Sequence, residues 1–211
     1  SRGSSETKAP GFFVHKERAA GMWKKGEGIV LKFGGSSLAT PELIRSAALR
    51  AASFAGQGRK TAVVVSAMGK ATDELLGLAK TIAPLKTDRR ELDRLLATGE
   101  QQSAALFTIA LTAEGCSARS FSGVEAGFLA EGAWGEGRII SVDPVRIESA
   151  ADSGHVAVIT GFQARTREGE TITLGRGGSD LTAISLAAAL GADECRIFTD
   201  VDGIYSADPR I

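Results

Sequence analysis

Short apolar runs alternate with longer stretches of helical spacing along most of this chain. Residues 29–33 (IVLKF) form a strand-like run interrupted only by Lys32, and it ends in Gly34-Gly35-Ser36-Ser37. Thr40-Pro41-Glu42 then reads as a helix start, with a hydroxyl at the N-cap, proline at the first helical position and an acid in the first turn. The alanine-rich stretch that follows stops at Gly56 and Gly58. Residues 61–65 (TAVVV) have the β-branched content of a strand buried on both faces. Thr72-Asp73-Glu74 opens a second helix, which Pro84 closes.

Residues 88–113 read as one long helix with Gly99 inside it. A helix former would be better there by about 1 kcal/mol, so the glycine suggests a close approach to the helix backbone. Residues 118–121 predict a strand and the glycine-rich segment 123–137 a hairpin or surface loop. A short helix over 144–153 and a buried strand over 155–160 (HVAVIT) follow. Residues 165–170 are a polar turn. Residues 171–173 lead into 175–180 (GRGGSD), with Ser179 as the expected cap of a helix over 181–190 that ends at Gly191. A last strand covers 196–199. Strands alternating with helices predict an α/β sandwich with a mainly parallel sheet.

Residues 1–28 lack a clean period and carry six Lys or Arg against three Glu. They read as a flexible tail, open to being the remainder of an organelle-targeting segment; Phe12, Phe13 and Trp23 could equally dock on the domain. Residues 29–211 then form the domain. The chain starts at Ser1 and stops at Ile211 after a dense Gly/Asp/Pro motif, so both ends read as cut.

Composition narrows the chemistry. Of 211 residues, 43% are hydrophobic and 24% charged, which fits one packed domain. Lys plus Arg equals Asp plus Glu, so no general attraction to nucleic acid or membrane follows. Any anion must be held by local basic groups and backbone dipoles. Cys116 and Cys195 sit in no CxxC pair and the only histidines are His15 and His155, which argues against a disulfide framework or a zinc site. No metal-ligand set is expected.

Three segments have small residues at expected strand ends, where ligands bind in such folds. In 32–37 (KFGGSS) two glycines let backbone N–H groups approach an anion and Lys32 supplies a charge. A glycine turn with a surface lysine remains open, since this is not the P-loop spacing. In 175–180 a helix N-terminus preceded by glycines is an anion site, and Arg176 can fork onto a carboxylate. The alternative is an ordinary capped helix with Asp180 complementing its dipole. Residues 199–210 (TDVDGIYSADPR) mix turn formers with Tyr205 and Arg210, which suits either a plain turn or a nucleotide contact, and lack the ligand ladder of a calcium loop. Glu100, after Gly99, is either solvated or reaches an ammonium group. Together the three segments offer what phosphoryl transfer needs: positioned donors and charge neutralisation.

The motifs KFGGSS, VVSAMGKATDELL, LLATGEQQS, TGFQ, TLGRGGSD and TDVDGIYSADPR occur in the order and near the spacing of one family. From residue 29 to 211 the chain resembles the aspartate kinases of the amino-acid-kinase superfamily. The resemblance implies a three-layer αβα sandwich and transfer of the ATP γ-phosphoryl group to the β-carboxylate of L-aspartate, the first step of lysine, threonine and methionine biosynthesis. It implies ATP as cosubstrate with Mg²⁺ bound to it. Lys32 would neutralise the phosphoryl group in flight, oriented by Asp180. Gly34 and Gly35 would donate N–H groups beside Ser36, and Ser66, Thr199, Asp200, Tyr205 and Arg210 would contact the nucleotide. Ser37, Thr72, Glu100, Phe162, Arg176, Gly177, Gly178 and Ser179 would surround aspartate, with Glu100 facing its ammonium and Arg176 a carboxylate. Family members continue past the DPR segment and then carry ACT regulatory domains, so the resemblance implies a fragment or a truncated relative, a homo-oligomer at full length, in the cytoplasm or a plastid. Another amino-acid kinase and a non-catalytic binding relative are the competing readings.

Overall fold

Alternate residues of the first strand face opposite helical layers. In the computed structural model, which describes residues 22–199, β1 (Gly28–Phe33) places Ile29, Leu31 and Phe33 in one apolar cluster and Val30 in another. β2 (Lys60–Val65) repeats the division, with Val63 and Val65 on one side and Ala62 and Val64 on the other. That is the two-residue period of a strand. Both strands are covered on both faces, which is why their sequences read as unbroken apolar runs.

The main sheet has the order β3-β6-β2-β1-β9, with β3 (Ala118–Phe121), β6 (Val156–Thr160) and β9 (Glu194–Phe198), and every pairing is parallel. Against the Ile29 face lie α1 (Pro41–Gly56) and α3 (Arg89–Ala113), which contribute Ile44, Ala48, Phe107 and Leu111. Against the Val30 face lie α4 (Val145–Asp152) and α5 (Gly178–Leu190), which contribute Ile147, Ala150, Leu186 and Leu190. This is the expected αβα layering with a mainly parallel sheet. α2 (Ala71–Ile82) lies outside it against α3 and has no fully buried residue.

A second sheet, β5-β4-β7-β8, stands beside the first. Its strands are β4 (Phe128–Glu131), β5 (Arg138–Val142), β7 (Gln163–Arg165) and β8 (Thr171–Thr173). The glycine-rich segment does form a hairpin, β4 with β5, but it is no surface loop. Ala126, Phe128 and Ala130 are fully buried, and β4 also pairs with β7. Three-residue strands such as β7 and β8 carry too little alternation to be read from sequence, and only their pairing across the polar turn defines them.

Local signals explain most boundaries. The Thr40 hydroxyl accepts from the Leu43 N–H, and Pro41 begins α1. Asp88 caps α3 by accepting from the Glu91 N–H. At α5 the expectation needs correction: the cap is Gly177, with φ +76°, and the helix begins at Gly178, so Ser179 lies inside the first turn. The Gly177 carbonyl takes the N–H groups of Asp180 and Leu181, a left-handed turn that glycine adopts without steric cost. At the other end of the described chain Trp23 is only 4% exposed and joins the α5-side core. Its backbone N–H donates to the Leu190 carbonyl. A Cβ on Gly28 would lie 1.8 Å from the Trp23 ring, so this glycine is required by the docked indole.

Candidate active site

Lys32 shares its strand face with Val30, and that face lies under the start of α5. The lysine is 7% exposed and its Nζ lies 2.7 Å from Asp180 Oδ1 in the first turn of α5. A buried ammonium needs such a partner. The ion pair stands at the carboxyl end of β1, where parallel sheets bind ligands. It opens on a cleft of about 300 Å³, lined by Lys32, Gly35, Ser66, Thr72, Glu100, Phe162 and residues 175–180, together with Ala67 and Gly69.

The two glycines of 32–37 have different roles. The Gly34 N–H donates to the Phe198 carbonyl at 3.0 Å and extends the β1–β9 ladder, so it is not available to a phosphate as expected. The Gly35 N–H has no acceptor among the described residues, and Gly35 lines the cleft. A Cβ on Gly35 would meet the Ala67 carbonyl at 2.8 Å, which makes the glycine obligatory. Ser36 and Ser37 lie in the single 3-10 turn Ser36–Leu38 and are not lining residues. Thr199 follows β9 and is also outside the lining residues. Asp200, Tyr205 and Arg210 lie outside the described residues.

Glu100 is the most perturbed acid in the cleft. It is 3% exposed; Oε1 accepts from the Ala67 N–H at 3.2 Å, and Oε2 has no partner among the described residues. Burial pushes its pKa up to about 7, against the opposing pull of the Ala67 N–H. Gly99 makes this possible, because a Cβ there would lie 3.0 Å from Ala67 Cβ and 3.6 Å from Leu75 Cδ1. The close approach that a mid-helix glycine suggested is therefore Ala67, after β2. Arg176, on the opposite lining segment, is exposed and has no ion-pair partner among the described residues. Phe162 holds φ +64°, unusual for a bulky residue, with its N–H on Thr182 Oγ1 at 3.3 Å and its carbonyl taking the Leu174 N–H. Gly161 admits the first turn of α5, since a Cβ there would lie 2.6 Å from Ser179 Oγ.

Two groups escaped sequence reading. Ala67 contributes only its backbone, which leaves no signal in the residue type. Asp93 resembled any helical surface acid, yet it is 2% exposed. A second hollow of about 430 Å³ adjoins Gly175 and is walled by Ile139, Leu174 and Leu181. It is the larger of the two, but its charged lining residues, Glu136 and Arg138, are both exposed, whereas the first holds the buried Lys32 and Glu100, which decides the candidate site on chemistry.

Fold and cleft together define an α/β protein whose Lys32, Glu100 and Arg176 line one cleft at the carboxyl ends of its parallel strands. The family model described as "Amino acid kinase family" matches residues 27–211, and the chain belongs to that family. It is 50% identical over 183 residues to an aspartokinase of Thermus thermophilus, covering 87% of this chain and 45% of that protein. An aspartokinase of Mycobacterium tuberculosis is 50% identical over 184 residues, covering 87% and 44%. Among solved structures, the aspartate kinase from Synechocystis is similar with a TM-score of 0.74 and 45% identity, over 86% of this chain and 30% of that one. E. coli aspartokinase III in complex with aspartate and ADP gives 0.76 at 27% identity, over 87% and 52%. The chain thus spans less than half the length of the curated relatives it matches.

Proposed function

We propose that this chain is the catalytic part of an aspartate kinase, which transfers the ATP γ-phosphoryl group to the β-carboxylate of L-aspartate and yields 4-phospho-L-aspartate. The observation that carries the reading is Glu100, a buried carboxylate with one open oxygen in the same cleft as Arg176 and the Lys32–Asp180 pair. An amino acid with a second carboxylate satisfies both: its ammonium meets Glu100 and a carboxylate meets Arg176. The aspartokinases among the relatives, and the neighbour structure with aspartate and ADP, support the choice of substrate. A cleft of about 300 Å³ is at the small end for ligand sites and suits a small acid and a terminal phosphate rather than a whole nucleotide.

The acceptor is a carboxylate, already ionised at neutral pH, so no general base is needed. The barrier is repulsion between two anions. Lys32 stands where charge passes between them, and Asp180 holds its ammonium. The Gly35 N–H and the N-terminus of α5 add fixed positive ends that cost no reorganisation during transfer. Thr72, Phe162, Gly177, Gly178 and Ser179 wall the acceptor; Ser37, outside the lining residues, is assigned to it on the family resemblance alone. Asp200, Tyr205 and Arg210 are assigned to the nucleotide with Ser66. Mg²⁺ enters on the ATP phosphates as part of the substrate.

Incubation with Mg-ATP and L-aspartate, with hydroxylamine to trap the acyl phosphate, tests this. An aspartate-dependent hydroxamate is expected. Lys32→Ala should lower turnover by about three orders of magnitude with an unchanged circular dichroism spectrum. Near-normal kcat in that variant removes Lys32 from the mechanism. Hydroxamate from glutamate or acetylglutamate instead reassigns the substrate, and ATP binding without turnover in this chain and in a longer one favours a non-catalytic relative.

A further inference from the structure

Asp93, Ala97 and Glu100 fall at i, i+4 and i+7 of α3, one stripe along a single helix face. Each holds a different partner. Asp93 Oδ2 accepts from the backbone N–H of Thr173 at 2.8 Å and of Gly135 at 2.9 Å, and Oδ1 accepts from the Thr173 hydroxyl at 3.0 Å. The Ala97 carbonyl accepts from Gln163 Nε2 at 2.9 Å. Gln163 and Thr173 are paired residues of β7 and β8. Glu100 accepts from Ala67. The stripe therefore runs from a clamp on the second sheet at one end to the cleft at the other.

The clamp is tight where it matters. Thr173 is held through its N–H and hydroxyl by Asp93, and its carbonyl accepts from the Gly137 N–H at 2.8 Å. Gly135, the other donor to Asp93, presents its carbonyl 3.3 Å from where a Gly175 Cβ would stand. Leu174 is buried and gives its N–H to Phe162. Only two residues separate Thr173 from Arg176. Asp93's acceptors are taken up by β8 and the β4–β5 loop.

We infer that Asp93 is a positioning residue: by locking β8 and the 132–137 loop to α3, it sets the spacing between Glu100 and Arg176 and so selects the length of the amino-acid dicarboxylate that bridges them. This rests on the reading of the cleft as the acceptor site. Asp93 does not touch the substrate. It acts by fixing the loop that carries Arg176 relative to the helix that carries Glu100. Asparagine at this position keeps the shape but loses the charge: its amide oxygen can take the two backbone N–H groups and its NH₂ the Thr173 hydroxyl, so charge-assisted hydrogen bonds become weaker neutral ones and the clamp loosens.

The test compares Asp93→Asn and Thr173→Val, the latter removing only the hydroxyl contact, with wild type. Dissociation constants for L-aspartate, L-glutamate and ATP are measured by calorimetry. Asp93→Asn should weaken aspartate by about tenfold, the effect of turning charge-assisted hydrogen bonds into neutral ones. ATP binding should change by less than twofold, and the preference for aspartate over glutamate should fall. Thr173→Val should do the same to a smaller extent, and it answers the question if Asp93→Asn does not fold. Equal losses for aspartate and ATP, or an unaltered aspartate-to-glutamate ratio, overturn the inference. If wild type binds neither amino acid, the reading of the cleft fails, and amide hydrogen exchange still decides on the clamp. Exchange at 174–178 should accelerate in Asp93→Asn with that of α1 unchanged; unaltered exchange there overturns the clamp itself.

Discussion

Asp93 and Glu100 are both buried carboxylates on one face of α3, 2% and 3% exposed, and they are treated in opposite ways. Asp93 receives three hydrogen bonds. Glu100 receives one, keeps one oxygen unpartnered among the described residues and has its pKa pushed up to about 7. Burial is common to both, so burial does not mark the functional acid. The number of donors the fold supplies does. A carboxylate that the protein satisfies is a clamp; one that it leaves half-satisfied costs stability until a ligand completes it.

The contrast can be broken from either end. The largest effect is expected for Asp93→Ala, which orphans the buried N–H and hydroxyl of Thr173 and the half-buried N–H of Gly135 and should cost about 3–5 kcal/mol in chemical denaturation. A loss below 1 kcal/mol would place water in the clamp and erase the distinction. Glu100→Gln should act with the opposite sign. Its folded pKa lies above that of the unfolded chain, so the favourable contribution of the wild-type acid is complete below about pH 4.5 and is lost as pH rises to about 7. Above pH 7 the neutral amide should therefore be more stable than wild type by up to about 3 kcal/mol, and at pH 4 the two should unfold alike. A variant less stable than wild type at pH 8 would show that the ionised carboxylate has a partner. The smallest effect is on affinity. A protonated Glu100 cannot serve an ammonium group, so aspartate should bind about tenfold more weakly at pH 6 than at pH 8, and Glu100→Gln should show no such slope. A flat wild-type profile would take Glu100 out of the ammonium contact.

These two acids also mark how far sequence reading reaches. Residues 61–65 announced β2 because a strand buried on both faces must be apolar throughout, and Thr40-Pro41 announced α1 because a cap is a local contact. Lys32, Asp180, Glu100 and Arg176 were legible as a set, and they do line one cleft. What sequence did not disclose depends on pairing between distant segments. Asp93 meets Thr173 only because β8 folds back on α3, 80 residues away in the chain. The Gly34 N–H is spent on Phe198 only because β9 joins the sheet beside β1. The cap of α5 passed from Ser179 to Gly177 because a left-handed glycine closes the turn sooner than a hydroxyl would.

The docked Trp23 has an optical consequence. The chain has two tryptophans, Trp23 and Trp134, and the first is enclosed by Gly28, Leu190 and the α5-side core. An indole shielded from water emits at shorter wavelength than a solvated one, so Trp23 is a built-in fluorophore for the seam between the segment before β1 and the end of α5. Its red shift would report release of that seam, and a single Trp134→Phe exchange would leave the signal to Trp23 alone.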